Sequence, residues 1–133
     1  MPMNPVVHFE MPYEDRDRAV GFYAKAFGWK SQKFGEEMGN YVLVQTDESD
    51  EKGMLLKTNR INGGLYPKPD DPMGQSPSVV IAVDDIADAM KKVGEAGGKV
   101  LGEPVDIPTV GKYVGFLDTE GNRVRLLEPV EKM

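Results

Sequence analysis

The stretch VHFEMPYEDRDRAVGFYAKAFGWK, residues 7–30, carries the pattern that decides the fold. Apolar residues at 7, 9 and 11 alternate with His8 and Glu10, which is the period-two pattern of a half-buried strand. Asp15 is a suitable N-cap, and apolar residues then recur at helical spacing until Gly28. The stretch predicts a strand followed by a helix, with His8 and Glu10 on one face of the strand.

A second stretch repeats this pattern, namely VVIAVDDIADAMKKVGEAGGKV at residues 79–100. Asp84 or Asp85 caps its helix, and glycines at 97 and 98 end it. A shift of 70 residues superposes the two helices, Asp15 on Asp85 among other pairs. Short extended segments follow each helix, so the chain reads as a βαβββ module that occurs twice.

The length of 133 residues fits one domain, residues 1–133. The segment PKPDDPMGQSP contains four prolines and predicts a linker at about 67–77. The first module then covers about 5–67 and the second about 77–130. The expected fold class is α+β, with two βαβββ modules that form a curved mixed sheet around a shared cleft.

Composition excludes several classes of function. The chain has 16 basic and 22 acidic residues, a net charge of −6, and no basic cluster, so nucleic acid is not an expected partner. No apolar run is long enough for a membrane helix, and the N-terminus lacks the features of a signal peptide, so we expect no membrane contact and a cytoplasmic location. Because the chain has no cysteine and one histidine, His8, thiolate chemistry and sites with two imidazoles are excluded within one chain.

The two stretches, together with INGGLYP at 61–67 and FLDTEGNRVRLLEP at 116–129, resemble the vicinal oxygen chelate superfamily. This superfamily includes glyoxalase I, extradiol dioxygenases and bleomycin-resistance proteins. The chain is most similar to its small single-domain members, the predicted enzymes related to lactoylglutathione lyase. The resemblance implies a glyoxalase-like fold and often a homodimer, but the reaction does not follow from the fold.

In the metal-dependent members, as the resemblance implies, four strands each give one ligand, either His or Gln or a carboxylate. His8 matches the first ligand, whereas Ser78 and Arg125 stand where the second-module histidine and the final glutamate are expected. INGGLYP offers neither a carboxylate nor an imidazole. We therefore predict no metal of the family type and no other cofactor. An altered metal site completed by a partner subunit is the least favoured alternative.

The candidate site follows from the polar faces of the strands. His8 and Glu10 are the candidate acid/base residues, and Arg125 is the candidate group for binding an anionic substrate. Each has a structural alternative, because His8 is also suited to a hydrogen-bonded cavity position and Arg125 to an ion pair with Glu10. Ser78 and Tyr113 are further substrate-binding candidates, although either residue also suits a structural place in its strand.

Two motifs favour structural interpretations. Glycines 63 and 64 either approach a ligand or mark a bend in a strand, and the bend is the more frequent reason. The aromatic residues around the first helix predict core or interface packing rather than a ligand box; they are Phe22, Tyr23, Phe27 and Trp29.

Two functions are consistent with these residues. The first is a metal-independent lyase or isomerase that acts on a small anionic metabolite. The second is a module that binds a drug or metabolite without changing it. In both cases the expected partner is a small molecule, and a homodimer is expected from the resemblance.

Overall fold

The computed structural model describes residues 3–51, 54–57 and 59–130, which belong to two units. Residues 8–77 form the N-terminal unit. Residues from 78 onward form the C-terminal unit together with the residues before His8. The hydrogen bond from the Ala82 amide to the Pro5 carbonyl, 3.0 Å long, joins the two segments of the C-terminal unit. The single-domain assignment stays a prediction.

The N-terminal unit pairs four strands with one helix among its described residues. Its sheet has the order β2-β3-β4-β1, in which β4 and β1 are parallel and the other neighbours are antiparallel. The elements are β1 (Val6–Tyr13, from His8 onward in this unit), α1 (Arg16–Phe27), β2 (Lys30–Lys33), β3 (Val42–Gln45) and β4 (Asn62–Pro67).

Helix α1 begins and ends where the sequence predicts. The Asp15 carboxylate accepts a hydrogen bond from the Arg18 amide at 3.0 Å, and Gly28 closes the helix with a φ of 74°. The side chains of Ala19 and Val20 pack against a buried core whose centre is formed by β3 and β4. That central group consists of Val42, Val44 and Leu65.

The aromatic cluster at α1 is only partly buried. Tyr23 stacks on Trp29 with 4.7 Å between the ring centroids, and Trp29 packs against the core. Phe22 and Phe27, in contrast, are 57% and 64% exposed. Of the two predicted roles, core packing is therefore wrong for these two residues within this unit, and interface packing stays a prediction.

The C-terminal unit repeats this arrangement. Its sheet has the order β5-β9-β8-β6, β7 also pairs with β8, and only β5 and β9 are parallel. Helix α2 packs its apolar side against one face of this sheet. The elements are β5 (Ser78–Ala82), α2 (Ile86–Glu95), β6 (Lys99–Val100), β7 (Val105–Ile107), β8 (Gly111–Leu117) and β9 (Arg123–Pro129).

The predicted linker at 67–77 has some structure of its own. Pro67 is the last residue of β4, and a short 3-10 helix covers Pro72–Gly74. The Asp71 carboxylate caps that helix by accepting a hydrogen bond from the Met73 amide at 3.0 Å. Neither α-helix of the described ranges has the length and apolar composition needed to span a bilayer.

Strand register makes the internal repeat clear enough to pair individual residues. Glu10 lies opposite Gly64 on the neighbouring parallel strand, and at the corresponding place in the other unit Val80 lies opposite Arg125. Since the shift of 70 relates Glu10 to Val80, the position of Gly64 corresponds to that of Arg125. The α+β class with two helices and mixed strand pairing is confirmed.

Candidate functional site

The N-terminal unit holds a chain of three polar side chains. The Tyr41 hydroxyl donates a hydrogen bond to Oε2 of Glu10 at 2.8 Å, and its oxygen lies 3.3 Å from Nε2 of His8. Glu10 is 4% exposed, and His8 is half-buried. His8 and Glu10 therefore share a face of β1, as the alternation predicts, and Tyr41 bridges them.

The backbone around Tyr41 places its side chain. The Phe34 amide donates to the Tyr41 carbonyl at 2.9 Å. Asn40, just before it, has a φ of 55°, and its carbonyl accepts a hydrogen bond from the Tyr13 hydroxyl at 2.7 Å. Since asparagine tolerates this left-handed conformation, it allows the turn that leads Tyr41 into β3.

Glycines 63 and 64 make room for two aromatic side chains. A Cβ atom on Gly64 would overlap the Tyr41 hydroxyl, and one on Gly63 would overlap the Phe9 ring. The sequence predicts two explanations for these glycines, a close approach to a ligand and a bend in the strand. The room needed by the two aromatic side chains is a third explanation. The absence of a side chain at Gly64 is what allows Tyr41 to reach Glu10.

Burial dominates the electrostatics of His8. Loss of hydration disfavours the charged imidazolium and lowers the pKa of His8 below its ordinary value of 6.5, while the negative charge of Glu10 opposes this shift. The ring is therefore neutral at pH 7. A neutral imidazole carries one nitrogen that accepts a proton, which is the property that a general base requires.

The C-terminal unit holds a second cluster, around Arg125. Its guanidinium is buried, Nη1 donates a hydrogen bond to Oγ of Ser78 at 3.0 Å, and Cζ lies 5.6 Å from the centroid of the Tyr113 ring. A buried guanidinium held by a hydroxyl and an aromatic face is suited to binding a carboxylate or phosphate. Arg125, Ser78 and Tyr113 are thus brought together within one unit.

Sequence reasoning missed Tyr41, because no local signal marks it, and the strand register now shows its counterpart in the other unit. Leu43 lies opposite Gly64, and Gly115 lies opposite Arg125 in the other unit. Tyr41 lies two residues before Leu43, and Tyr113 lies two residues before Gly115. Tyr41 therefore corresponds to Tyr113. Glu10 and Arg125 belong to different units, so an ion pair between them stays a prediction.

The side chains at the positions implied for a metal do not fit a divalent ion. Nε2 of His8 contacts a tyrosine hydroxyl, and Gly64 offers no side chain. The Ser78 hydroxyl accepts from Arg125, whose guanidinium has no lone pair to give. In the part of the chain that the structure describes, no group of three or more carboxylate, imidazole or thiol side chains is arranged to hold a metal.

Comparison with solved structures gives the class of fold. The crystal structure of the hypothetical protein BH1468 from Bacillus halodurans matches with a TM-score of 0.69 at 16% identity and covers 99% of each chain. A point variant of Streptomyces coelicolor methylmalonyl-CoA epimerase, in complex with 2-nitronate-propionyl-CoA, also matches with a TM-score of 0.69 at 16% identity. This match covers 98% of this chain and 100% of the epimerase. At this identity the similarity is one of fold.

Sequence comparison gives the family. The model of the Glyoxalase/Bleomycin resistance protein/Dioxygenase superfamily matches residues 6–126, and the chain belongs to this superfamily. A glyoxylase-like domain-containing protein of Didymella fabae is 31% identical over 119 residues, 85% of this chain and 84% of that protein. "Putative glyoxylase CFP32" of Mycobacterium tuberculosis is 28% identical over 124 residues, 90% of this chain. The chain spans 42% of the length of CFP32.

Proposed function

We propose that the protein is an enzyme that moves a proton on a small anionic metabolite and uses His8 as its acid/base group. The hydrogen-bond chain from His8 through Tyr41 to Glu10 is the observation that carries this proposal. The proposed activity is that of an isomerase or a lyase that needs no metal ion. This arrangement has one feature in common with known catalytic bases. The base, His8, is oriented by a second side chain, Tyr41, which is itself held by a carboxylate, that of Glu10.

The hydrogen bonds define the proton positions in this chain. Tyr41 has one hydroxyl proton and donates it to Glu10, so its oxygen accepts from Nε2–H of His8. The proton of the neutral imidazole then resides on Nε2, and Nδ1 carries the lone pair. In this proposal Nδ1 takes the substrate proton, and the negative charge of Glu10 stabilises the imidazolium that forms.

The proposed reaction begins with the removal of a proton from carbon. Nδ1 removes a proton from the carbon next to a carbonyl or carboxylate group, and the C–H electron pair moves onto the carbonyl oxygen as an enolate. Return of the proton to a different face or atom gives isomerisation. In elimination, the enolate electron pair forms a C=C bond to the neighbouring carbon, and the group on that carbon departs with the electron pair of its own bond, which gives a lyase.

Arg125 supports the choice of an anionic substrate. A guanidinium presents several N–H donors in a planar fork, so the group that Ser78 holds in place is suited to a carboxylate. In the proposal, Arg125 and Ser78 bind the anionic group, and Tyr113 orients the guanidinium through its ring face. These roles concern substrate affinity rather than proton transfer.

The experiment that tests the proposal follows proton exchange by NMR in D₂O. Methylmalonyl-CoA and a panel of 2-oxo and 2-hydroxy carboxylates are the probes, chosen because one of the similar structures is that of an epimerase. We expect the wild type to exchange a carbon-bound proton of at least one probe, and His8→Asn to lower that rate by about 10²–10⁴-fold. Tyr41→Phe and Glu10→Gln should give smaller losses, while exposed Glu14→Gln, the matched control, should not change it. Wild-type exchange that persists in His8→Asn would overturn the proposal.

A binding protein is the second candidate, and the Arg125 cluster favours it. The guanidinium, hydroxyl and aromatic ring of that cluster can hold an anion and supply no base. Under this alternative a ligand binds, is recovered unchanged, and loses affinity when Arg125 is replaced but not when His8 is replaced. A homodimer and a cytoplasmic location complete the proposal as expectations from the family resemblance and from the composition.

A further inference from the structure

Strand β9 carries two arginines on the same face. Side chains alternate along a strand, so Arg123 and Arg125 point to one side, and Val124 and Leu126 point to the other. The side with Val124 and Leu126 is covered, because these two residues belong to the apolar cluster that packs against helix α2. The two guanidinium groups thus lie on the face of the sheet that α2 does not cover.

Arg123 has an unsatisfied donor. Its Nε is buried from solvent and has no hydrogen-bond partner among the residues that the structure describes. A buried donor on a charged group costs stability unless an acceptor is supplied. Since nearly all such groups in native proteins are paired, an acceptor from outside the chain is the simplest partner.

Gly115 lies beside these arginines. It lies opposite Arg125 in the register of β8 and β9. A Cβ atom added at Gly115 would lie 3.8 Å from Nε of Arg123 and 3.8 Å from Cδ1 of Leu101, which are ordinary contact distances. The strand next to the arginines therefore presents no side chain at this point, and Nε of Arg123 is among the atoms nearest to this glycine.

The spacing of the arginines defines the ligand. Alternate residues of a strand are about 6.6–6.8 Å apart, so the two side chains begin about that far from each other. We propose that Arg123 and Arg125 together bind a small dianion whose two acidic groups are separated by a short carbon chain, such as a dicarboxylate. Arg125 with Ser78 binds one acidic group, and Arg123 binds the other. This inference rests on the anion recognition by Arg125 in the proposed function.

The test compares succinate with butyrate, which has the same four-carbon chain and one acidic group. Binding to the full chain is measured by calorimetry at constant ionic strength. We expect the wild type to bind succinate at least tenfold more tightly than butyrate. Arg123→Gln should remove this preference, and Arg123→Lys should restore part of it because it keeps the charge. Arg18→Gln, at an arginine whose side chain is 69% exposed, is the matched control and should leave the preference unchanged.

The outcomes separate this inference from the proposed function. Equal affinity for the two acids, or a preference that survives Arg123→Gln in a variant with a wild-type melting curve, overturns the dianion site. Failure of both acids to bind at millimolar concentration overturns it as well. Loss of proton exchange in His8→Asn concerns the catalytic proposal alone, whereas loss of the succinate preference in Arg123→Gln concerns the dianion site alone.

Discussion

His8 is the only histidine of the chain, so its ring signals in NMR spectra need no assignment by mutation. Because burial lowers the pKa of His8, we expect its titration midpoint below the ordinary value of 6.5. The negative charge of Glu10 raises that pKa, and Glu10→Gln should therefore lower it further. A midpoint above 6.5 in the wild type, or an upward shift in Glu10→Gln, would contradict the burial of His8 and its interaction with the charge of Glu10.

The same shift makes stability depend on pH. The unfolded chain binds a proton at His8 at a higher pH than the folded chain does. The free energy of unfolding should consequently fall as pH drops below about 6.5 and continue to fall through the lower folded pKa. Urea unfolding at several pH values measures this loss of stability. In His8→Asn, the free energy of unfolding should fall less over the same pH range, because the contribution of His8 is absent.

Gly64 is a positioning residue, since the space above it admits the Tyr41 hydroxyl. We expect Gly64→Ala to lower the free energy of unfolding by about 1–3 kcal/mol through overpacking, and to lower the proton-exchange rate by displacing Tyr41. Gly94→Ala is the control, because a Cβ atom in that helix would meet nothing within 4 Å. It should stabilise the protein by up to about 1 kcal/mol. Equal stability changes in the two variants would contradict the assigned contact.

Single residues differ in how far the sequence predicts them. Alternation along one strand predicts that His8 and Glu10 share a face. It says nothing of Tyr41, which is 31 residues from Glu10 in sequence and reaches it only through strand pairing. The polar atoms of Arg125 and Ser78 are likewise joined across 47 residues. Such contacts follow from register, which local patterns constrain only weakly.

At the scale of elements, each helix depends on one aspartate at its start. The carboxylates of Asp15 and Asp85 accept hydrogen bonds from the Arg18 and Asp88 amides at 3.0 and 3.1 Å. Replacing either with alanine should lower the free energy of unfolding by about 0.5–2 kcal/mol, as measured by urea denaturation. Asp15→Ser should retain most of the stability because serine also caps helices. A loss in Asp15→Ser as large as in Asp15→Ala would argue against capping as the cause.

Helix boundaries were predictable from the sequence because caps and terminal glycines are local signals. The extent of burial along α1 was not. Helical spacing identifies the apolar side of a helix, but the width and length of the neighbouring sheet determine how much of that side is covered. Phe22 and Phe27 are exposed within their unit for this reason, although their spacing fits core positions.

At the scale of the whole molecule, we expect no stoichiometric metal. Untagged protein purified without chelator and dialysed against nickel, zinc, manganese and iron should retain less than about a tenth of an ion per chain, because serine, glycine and arginine stand at positions that need ligands. Elemental analysis provides the measurement. Retention of one ion by the wild type and its loss in His8→Ala would show that the ligand positions are misassigned.

Oligomeric state is a separate prediction for the whole molecule. The family resemblance leads us to expect a homodimer, and sedimentation equilibrium at micromolar concentration measures it. The expected mass is twice the 14.7 kDa of one chain. A single species of monomer mass over the whole concentration range would contradict the expectation.

The sequence by itself determined the α+β class, the repeated strand and helix, and the helix caps, because periodicity, capping residues and turn residues are local signals. The superfamily followed from the resemblance of whole stretches of sequence to a known family. It also identified His8, Glu10, Ser78, Tyr113 and Arg125 as candidates. Only the tertiary structure decided that Tyr41 connects His8 to Glu10 and that Gly64 leaves room for it. Those relations depend on which residues lie opposite each other on paired strands, and pairing between distant segments is fixed only when the whole sheet packs.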